Sequence, residues 1–286
     1  MGEPKLNAVV TLRNELSPWL IILQVAPDGW ELPDFVAGQY ICLGLFGSAP
    51  RSALAETENA AAEPDKLIRR AYSIASSPLS REFMEFYLNL VPGGVLTPRL
   101  FNLKIGDRIW LSSRVTGTFT LDHVPEDANV VLIANGTGLA PYVSMLTTHL
   151  QSAAQRRVAL VHGARHSWDL GYRSVLTAMQ NLRPNFNYIP VLSRPQDEPI
   201  RWKGAAGHVQ DLWKGDAIER AWGFRPAPQN THVLLCGSPE MIESMTLLLA
   251  QEGFEEHAKN HPGQVHSERY WPIKGGAKES SGALVA

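Results

Sequence analysis

The hydrophobic rhythm of the chain changes near its middle. In the first part, short apolar or β-branched runs at residues 8–12, 19–25, 40–46, 70–74, 83–90 and 108–111 are bounded by Pro, Gly and Asp, with one helical stretch at 97–103. Short strands punctuated by turn formers predict a small antiparallel barrel capped by one helix. Residues 47–66, rich in Ala, Glu and Pro without a period, read as a flexible insertion between two strands that carries no chemistry. From Val130 onward, apolar runs at 130–134, 158–162, 188–192 and 232–235 alternate with helical patterns that start near Pro141 and span 168–182 and 239–250. Continuous apolar strands separated by helices predict an α/β domain with a parallel sheet covered on both faces. The polar, Pro-containing stretch 122–127 reads as the boundary. It gives a β-barrel domain over 1–124, an α/β domain over 125–271 and a C-terminal extension over 272–286.

Composition adds mainly exclusions. A chain of 286 residues has material for two cores, and a net charge of −2 argues against a nucleic-acid binder. Its two cysteines, Cys42 and Cys236, lie far apart with no metal-ligand spacing, so no metal site and no iron–sulfur cluster is expected in this chain. The N-terminus lacks a basic region followed by an apolar core, and no apolar run is long enough to span a bilayer. The expectation is a cytoplasmic protein with no membrane partner.

Candidate chemistry sits in a few spaced segments. Arg70-Ala71-Tyr72-Ser73 offers a cationic fork for a phosphate, a flat ring for an isoalloxazine and a small hydroxyl for a flavin ring nitrogen. Gly93-Gly94-Val95-Leu96-Thr97-Pro98 supplies a backbone turn and a hydroxyl at a helix start, suited to a flavin pyrophosphate or equally to a plain capped helix. Gly136-Thr137-Gly138-Leu139-Ala140-Pro141 follows a buried-type strand and opens a helix, as a nucleotide turn does, although a tight strand-to-helix turn has the same look. Ser193-Arg194 and Arg201, with no acid in the place that NAD selection needs, suit the 2′-phosphate of NADP; solvated loop arginines are the plain alternative. Cys236, at the end of a strand and before Gly237-Ser238-Pro239, could pack beside a nicotinamide. Glu268 precedes Tyr270-Trp271, aromatics that could cover a flavin or simply pack at a domain interface.

In this order and at these separations, the segments resemble those of the bacterial ferredoxin or flavodoxin–NADP⁺ reductases, over nearly the whole chain from Ala8 to Trp271. The resemblance implies an N-terminal FAD-binding barrel, a C-terminal NADP-binding domain, and hydride transfer between NADPH and FAD. It implies that Arg70, Tyr72, Ser73, Leu88, Asn89, Leu90, Val91, Val95, Leu96, Thr97, Tyr270 and Trp271 serve FAD. Gly136, Thr137, Gly138, Arg165, Ser193, Arg194 and Arg201 would serve NADP, with Ser73, Cys236 and Glu268 as catalytic residues. Residues 47–66, Asn135 and the 272–286 extension depart from the family's pattern.

The expected activity is electron transfer between NADPH and a one-electron carrier, ferredoxin or flavodoxin, by a monomer. A flavin or quinone reductase, an oxygenase reductase component and a non-catalytic flavin redox sensor are the alternatives. Lys66, Arg69, Arg70, Arg99, Lys104, Arg108 and Arg114 are expected to give the first domain a basic face for an acidic carrier.

Overall fold

A computed structural model describes residues 5–58, 60–150 and 156–269. The chain divides into two compact units, with the division between Thr120 and Leu121.

The first unit holds β1 (Ala8–Ser17), β2 (Leu20–Pro27), β3 (Tyr40–Phe46), β4 (Leu67–Ser73), β5 (Met84–Asn89), the single-turn helix α1 (Thr97–Leu100) and β6 (Arg108–Thr116). The strands form one antiparallel sheet in the order β4-β3-β6-β1-β2-β5. Its two edges meet just beyond β4, where Ile74 bridges Phe86 and the Ala75 amide donates to Glu85 O at 2.8 Å. Closure removes two open strand edges and makes the sheet a barrel. Its interior is filled by Val10, Ile21, Leu23, Ile41, Leu43, Phe86, Leu88 and Leu111, all at most 1% exposed. Residues of this kind at alternate positions along each strand are what close the barrel on an apolar centre.

Residues 47–66 are not the flexible insertion that their composition suggests. The Gly47 amide donates to Lys66 O at 3.0 Å and the Ser48 amide to Pro64 O at 3.0 Å, which extends the β3–β4 hairpin. The Ser52 amide reaches Pro98 O at 2.8 Å and the Glu56 amide reaches Pro92 O at 3.1 Å, so the segment lies against the turn that leads into α1. The low-hydrophobicity criterion fails here because backbone pairing and buried charge, not apolar burial, hold the segment.

The second unit holds β7 (Asn129–Asn135), α2 (Ala140–His149), β8 (Val158–Ala164), α3 (Arg173–Leu182), β9 (Phe186–Leu192), β10 (Ala205–Ala206), α4 (Val209–Lys214), α5 (Ala217–Trp222), β11 (Thr231–Gly237), α6 (Pro239–Gln251) and β12 (Val265–Arg269). All strand pairs are parallel, in the order β10-β9-β8-β7-β11-β12. The apolar strand residues predicted this: Val131, Ile133, Ala159, Val161, Val233 and Leu235 are 0% exposed and pack with Met241, Ile242 and Met245 of α6. From β7 the chain builds outward through β8 to β10, then returns to lay β11 and β12 on the other side of β7. The order therefore reverses between β7 and β11, and in an open α/β sheet the crevice beyond the strand ends at that switch point is where ligands bind.

Candidate functional site

In the first unit, β4 carries the Arg70–Ser73 motif in register with β3, with Tyr72 opposite Ile41 and Ser73 opposite Tyr40. Arg70 is half-buried, donates to Arg69 O at 2.7 Å and has no acidic partner among the described residues. Tyr72 is 5% exposed, and its ring joins the barrel core while its hydroxyl has no hydrogen-bond partner. Burial pushes that hydroxyl's pKa well above the ordinary tyrosine value, so it stays a neutral donor. Ser73 is 5% exposed. Leu88 and Leu90 are core residues, with the Leu90 amide donating to Trp19 O at 2.8 Å, whereas Asn89 and Val95 are exposed.

The turn from Val91 to Thr97 is closed by a side chain. The Val91 amide donates to Thr97 Oγ1 at 3.1 Å, the same hydroxyl donates to Val91 O at 3.3 Å, and the Gly94 amide donates to Val91 O at 2.8 Å. Val95, Leu96 and Thr97 have backbone amides with no acceptor among the described residues. Leaving a buried polar group unmatched costs about 1–3 kcal/mol. Of these groups Leu96, Thr97 and Tyr72 are buried while Val95 is exposed and Arg70 half-buried; the free amides, the acid-free Arg70 and the orphaned Tyr72 hydroxyl are donors of the kind that a dinucleotide's phosphates and sugar would satisfy. The residues fit FAD.

In the second unit, the turn after β7 and the turn after β11 flank the switch point. Gly136 to Leu139 form one turn of 3₁₀ helix, in which Gly136 has φ +54° with open space where a side chain would stand. Gly138 has none: a Cβ there would lie 2.2 Å from Cys236 O and 2.6 Å from the Gly237 amide nitrogen. Only glycine lets the two turns approach so closely. Asn135 ties them further, accepting from the Ser238 amide at 2.8 Å and donating to Ser238 Oγ at 3.2 Å. Ser238 in turn caps α6 by accepting from the Met241 amide at 3.3 Å, with Pro239 in the first turn. The departure at Asn135 is therefore a strut between the two turns, legible only once β7 and β11 are known to be neighbours.

Cys236 and Glu268 are register partners on β11 and β12, and the thiol donates to Glu268 Oε2 at 3.9 Å. Cys236 is buried and Glu268 half-buried. Glu268 thus belongs to an ordered edge strand that the sequence pattern did not reveal.

Arg165 and Ser193-Arg194 follow β8 and β9. The Ser193 amide donates to Ala164 O and the Arg194 amide to Arg165 O, both at 3.0 Å, so the two loops run side by side. A second tie escaped sequence reasoning: Ser167 donates to Glu198 through its amide at 2.7 Å and through its hydroxyl at 2.6 Å. The Ser167 hydroxyl holds the Glu198 carboxyl below the usual carboxylate range. Arg165, Arg194 and Arg201 are exposed, and none joins an ion pair among the described residues. Arg165, Ser193 and Arg194, on two loops tied side by side, have the chemistry to take the extra phosphate of NADP, whereas no hydrogen bond or ion pair among the described residues links Arg201, between β9 and β10, to them.

Arg99 leaves the set of basic-face candidates. It is 3% exposed and spends its charge on Glu58, at 2.7 Å. Lys66 pairs with Glu63 at 3.2 Å and Arg108 pairs with Asp28, while Arg69 lies over the Trp110 ring at 5.5 Å. Lys104 and Arg114 stay exposed. The expected cover by Tyr270 and Trp271 and the 272–286 extension lie outside the described residues. Among the described residues no group of three or more His, Cys, Asp or Glu could hold a metal ion, and no helix is long and apolar enough to cross a membrane.

Residues 132–247 match the family described as Oxidoreductase NAD-binding domain. The chain is 32% identical over 238 residues to a flavodoxin/ferredoxin–NADP reductase of Shigella flexneri, covering 83% of this chain and 88% of that protein. It is 30% identical to the reductase component of phenol 2-monooxygenase from a Pseudomonas species, over 98% of this chain and 70% of that one. Its structure resembles that of a ferredoxin NADP⁺ reductase from Neisseria gonorrhoeae with bound FAD and NADP, at a TM-score of 0.77 and 25% identity, covering 92% of this chain and 97% of that one. With a closed antiparallel barrel, a parallel sheet whose switch point holds a glycine turn, and relatives at this identity along most of its length, the chain belongs to the flavodoxin/ferredoxin–NADP reductases, oxidoreductases that use FAD and NADP(H).

Proposed function

We propose that this protein moves electrons between NADPH and a small one-electron carrier protein, a ferredoxin or a flavodoxin, in the cytoplasm. The observation that carries the reading is similarity to flavodoxin/ferredoxin–NADP reductases along most of both chains. FAD, when bound, takes a hydride from NADPH and releases electrons singly, chemistry that belongs to the cofactor. The chain's own residues bind, orient and exclude water. Arg70 and the free amides of Val95, Leu96 and Thr97 hold the flavin's diphosphate, and Ser73 offers its hydroxyl to the ring. Gly136, Thr137 and Gly138 take the NADP diphosphate, and Arg165, Ser193, Arg194 and Arg201 take the 2′-phosphate. Cys236 and Glu268, adjacent on β11 and β12, set the approach of the nicotinamide. Exposed Lys104 and Arg114 remain to steer an acidic carrier.

A second reading, a reductase component that feeds an oxygenase, draws on the phenol 2-monooxygenase relative that spans 98% of this chain. With two cysteines these 286 residues cannot themselves ligate a four-cysteine iron–sulfur cluster. NADPH-dependent cytochrome c reduction, measured with and without added ferredoxin or flavodoxin, separates the readings. Strong stimulation by either carrier is the expected result. Equal rates with and without both carriers, alongside direct reduction of free flavin or quinone, would overturn the carrier assignment.

A further inference from the structure

Residues 47–66 meet the turn at 91–97 through an ionic cluster in which Arg99 is buried and Arg51 and Glu58 are partly buried. Glu58 accepts from Arg51 Nη1 at 2.8 Å and from Arg99 Nη1 and Nη2 at 2.7 and 3.2 Å. The three side chains are 14%, 17% and 3% exposed, respectively. The Arg99 hydrogen bond holds the Glu58 carboxyl below the usual carboxylate range, so it is ionised at neutral pH. Each arginine then spends its remaining donors on backbone carbonyls. Arg51 donates to Gly94 O at 3.0 Å, Pro92 O at 3.3 Å and Glu56 O at 2.8 Å. Arg99 donates to Val95 O at 2.6 Å and to Gly47 O at 2.7 Å. The carbonyls of residues 92, 94 and 95 are therefore all engaged by guanidinium groups, while the next amides along the turn, at Val95, Leu96 and Thr97, are the ones left free.

A turn that must bind an anion has to keep its carbonyl oxygens, which repel it, fixed away from the ligand. Free in solution, a glycine-rich turn such as Gly93-Gly94 samples both orientations. We propose that residues 47–66 form a clasp on the flavin-diphosphate turn, with Glu58 as the positioning residue that, through Arg51 and Arg99, fixes the carbonyls of the turn and leaves its amides for the ligand. This rests on the assignment of the 91–97 turn to the flavin diphosphate. The clasp acts by preorganisation, which raises affinity by lowering the cost of ordering on binding.

Simple electrostatics predicts the opposite sign. Removing the Glu58 charge leaves two arginines uncompensated near a phosphate site, and charge alone would then tighten FAD binding. The test titrates flavin-free protein with FAD and, separately, with riboflavin, which has the ring and no phosphate. Glu58→Gln is expected to raise the Kd for FAD roughly ten-fold, the scale of one charge-assisted hydrogen bond, and to change riboflavin binding by less than about two-fold. Arg51→Lys, which keeps the charge but cannot span Glu58, Pro92 and Gly94 together, is expected to show the same selectivity and covers the case in which Glu58→Gln does not fold. Tighter or unchanged FAD binding, or equal loss for FAD and riboflavin, overturns the clasp. Val95→Pro removes one free amide from an exposed position; if that variant binds FAD as the wild type does, the assignment of the turn fails instead, whatever Glu58 does.

Discussion

His162 lies in the middle of the parallel sheet on β8, 0% exposed, with Nδ1 3.1 Å from the Tyr188 hydroxyl and Nε2 buried without a partner. A second N–H on that ring would have nothing to bond to, and burial pushes its pKa from 6.5 down to about 3. Because the folded value lies below the unfolded one, the stabilisation is complete above about pH 6.5 and is lost as pH falls from there toward 3. At pH 5 the unfolded chain binds a proton that the folded chain refuses, over a gap of 1.5 pH units below 6.5. This makes the folded second unit about 2 kcal/mol less stable at pH 5 than at pH 7 through this one group. The double variant His162→Phe/Tyr188→Phe removes the titration and also removes the hydroxyl that would otherwise lose its partner. Hydrogen exchange of peptides covering β8 and β9, corrected for intrinsic rates, gives the opening free energy at both pH values. The wild type should lose about 2 kcal/mol more than the double variant on going from pH 7 to pH 5. An equal loss in both proteins would refute the neutral imidazole with its Nε2 unpartnered, whatever the two stabilities are at pH 7.

Gly138→Ala should destabilise the second unit by about 3 kcal/mol or more, because the new Cβ meets the backbone of Cys236 and Gly237 and no flexible side chain can yield; a melting temperature equal to that of the wild type would contradict the close approach. Arg194→Ala should weaken NADPH by about 1.5–3 kcal/mol, one to two decades, with little effect on NADH, and equal loss for both nucleotides in competitive binding would remove Arg194 from the 2′-phosphate site. Glu268→Gln should leave a yellow, folded protein whose flavin is reduced more slowly by NADPH in single-turnover stopped flow. An unchanged rate would take Glu268 out of the reaction, and loss of colour would move it to cofactor retention.

The strands of the first unit were legible because short apolar or β-branched runs stop at Pro, Gly and Asp turn formers, and the predicted runs fall on the observed strands, which extend further in most cases. The parallel strands were legible for the opposite reason, since burial on both faces leaves unbroken apolar runs such as Val130 to Ala134. What escaped has neither signature. β12 reads Val-His-Ser-Glu-Arg and is a strand because β11 offers it an edge. α4 and α5 are six residues each, too short for a helical period to show. The Arg51–Glu58–Arg99 cluster joins side chains up to 48 positions apart in sequence, and the composition of residues 47–66 pointed to disorder because only apolar burial was counted as a source of order.

The candidate NADP site separates into two mechanical parts with different freedom to vary. The Gly136–Gly138 turn and the Cys236–Ser238 turn are locked together by the Gly138 approach and by the reciprocal Asn135–Ser238 hydrogen bonds. A shift of the turn proposed for the diphosphate therefore shifts Cys236, and with it the Cys236–Glu268 contact on β12. Arg165, Ser193 and Arg194 stand on loops after β8 and β9 that are tied to each other, with Ser167 and Glu198 as the further link, and not to those turns by any hydrogen bond among the described residues. On the proposed assignments, substitutions on these loops should retune the choice between NADPH and NADH without moving the thiol, whereas substitutions in the glycine turn should change nucleotide affinity and the chemical step together. Kinetics of Asn135→Ala would show the coupling: with the strut removed, nucleotide affinity and the single-turnover rate should fall together, and a fall in affinity at constant rate would show that the two turns move independently.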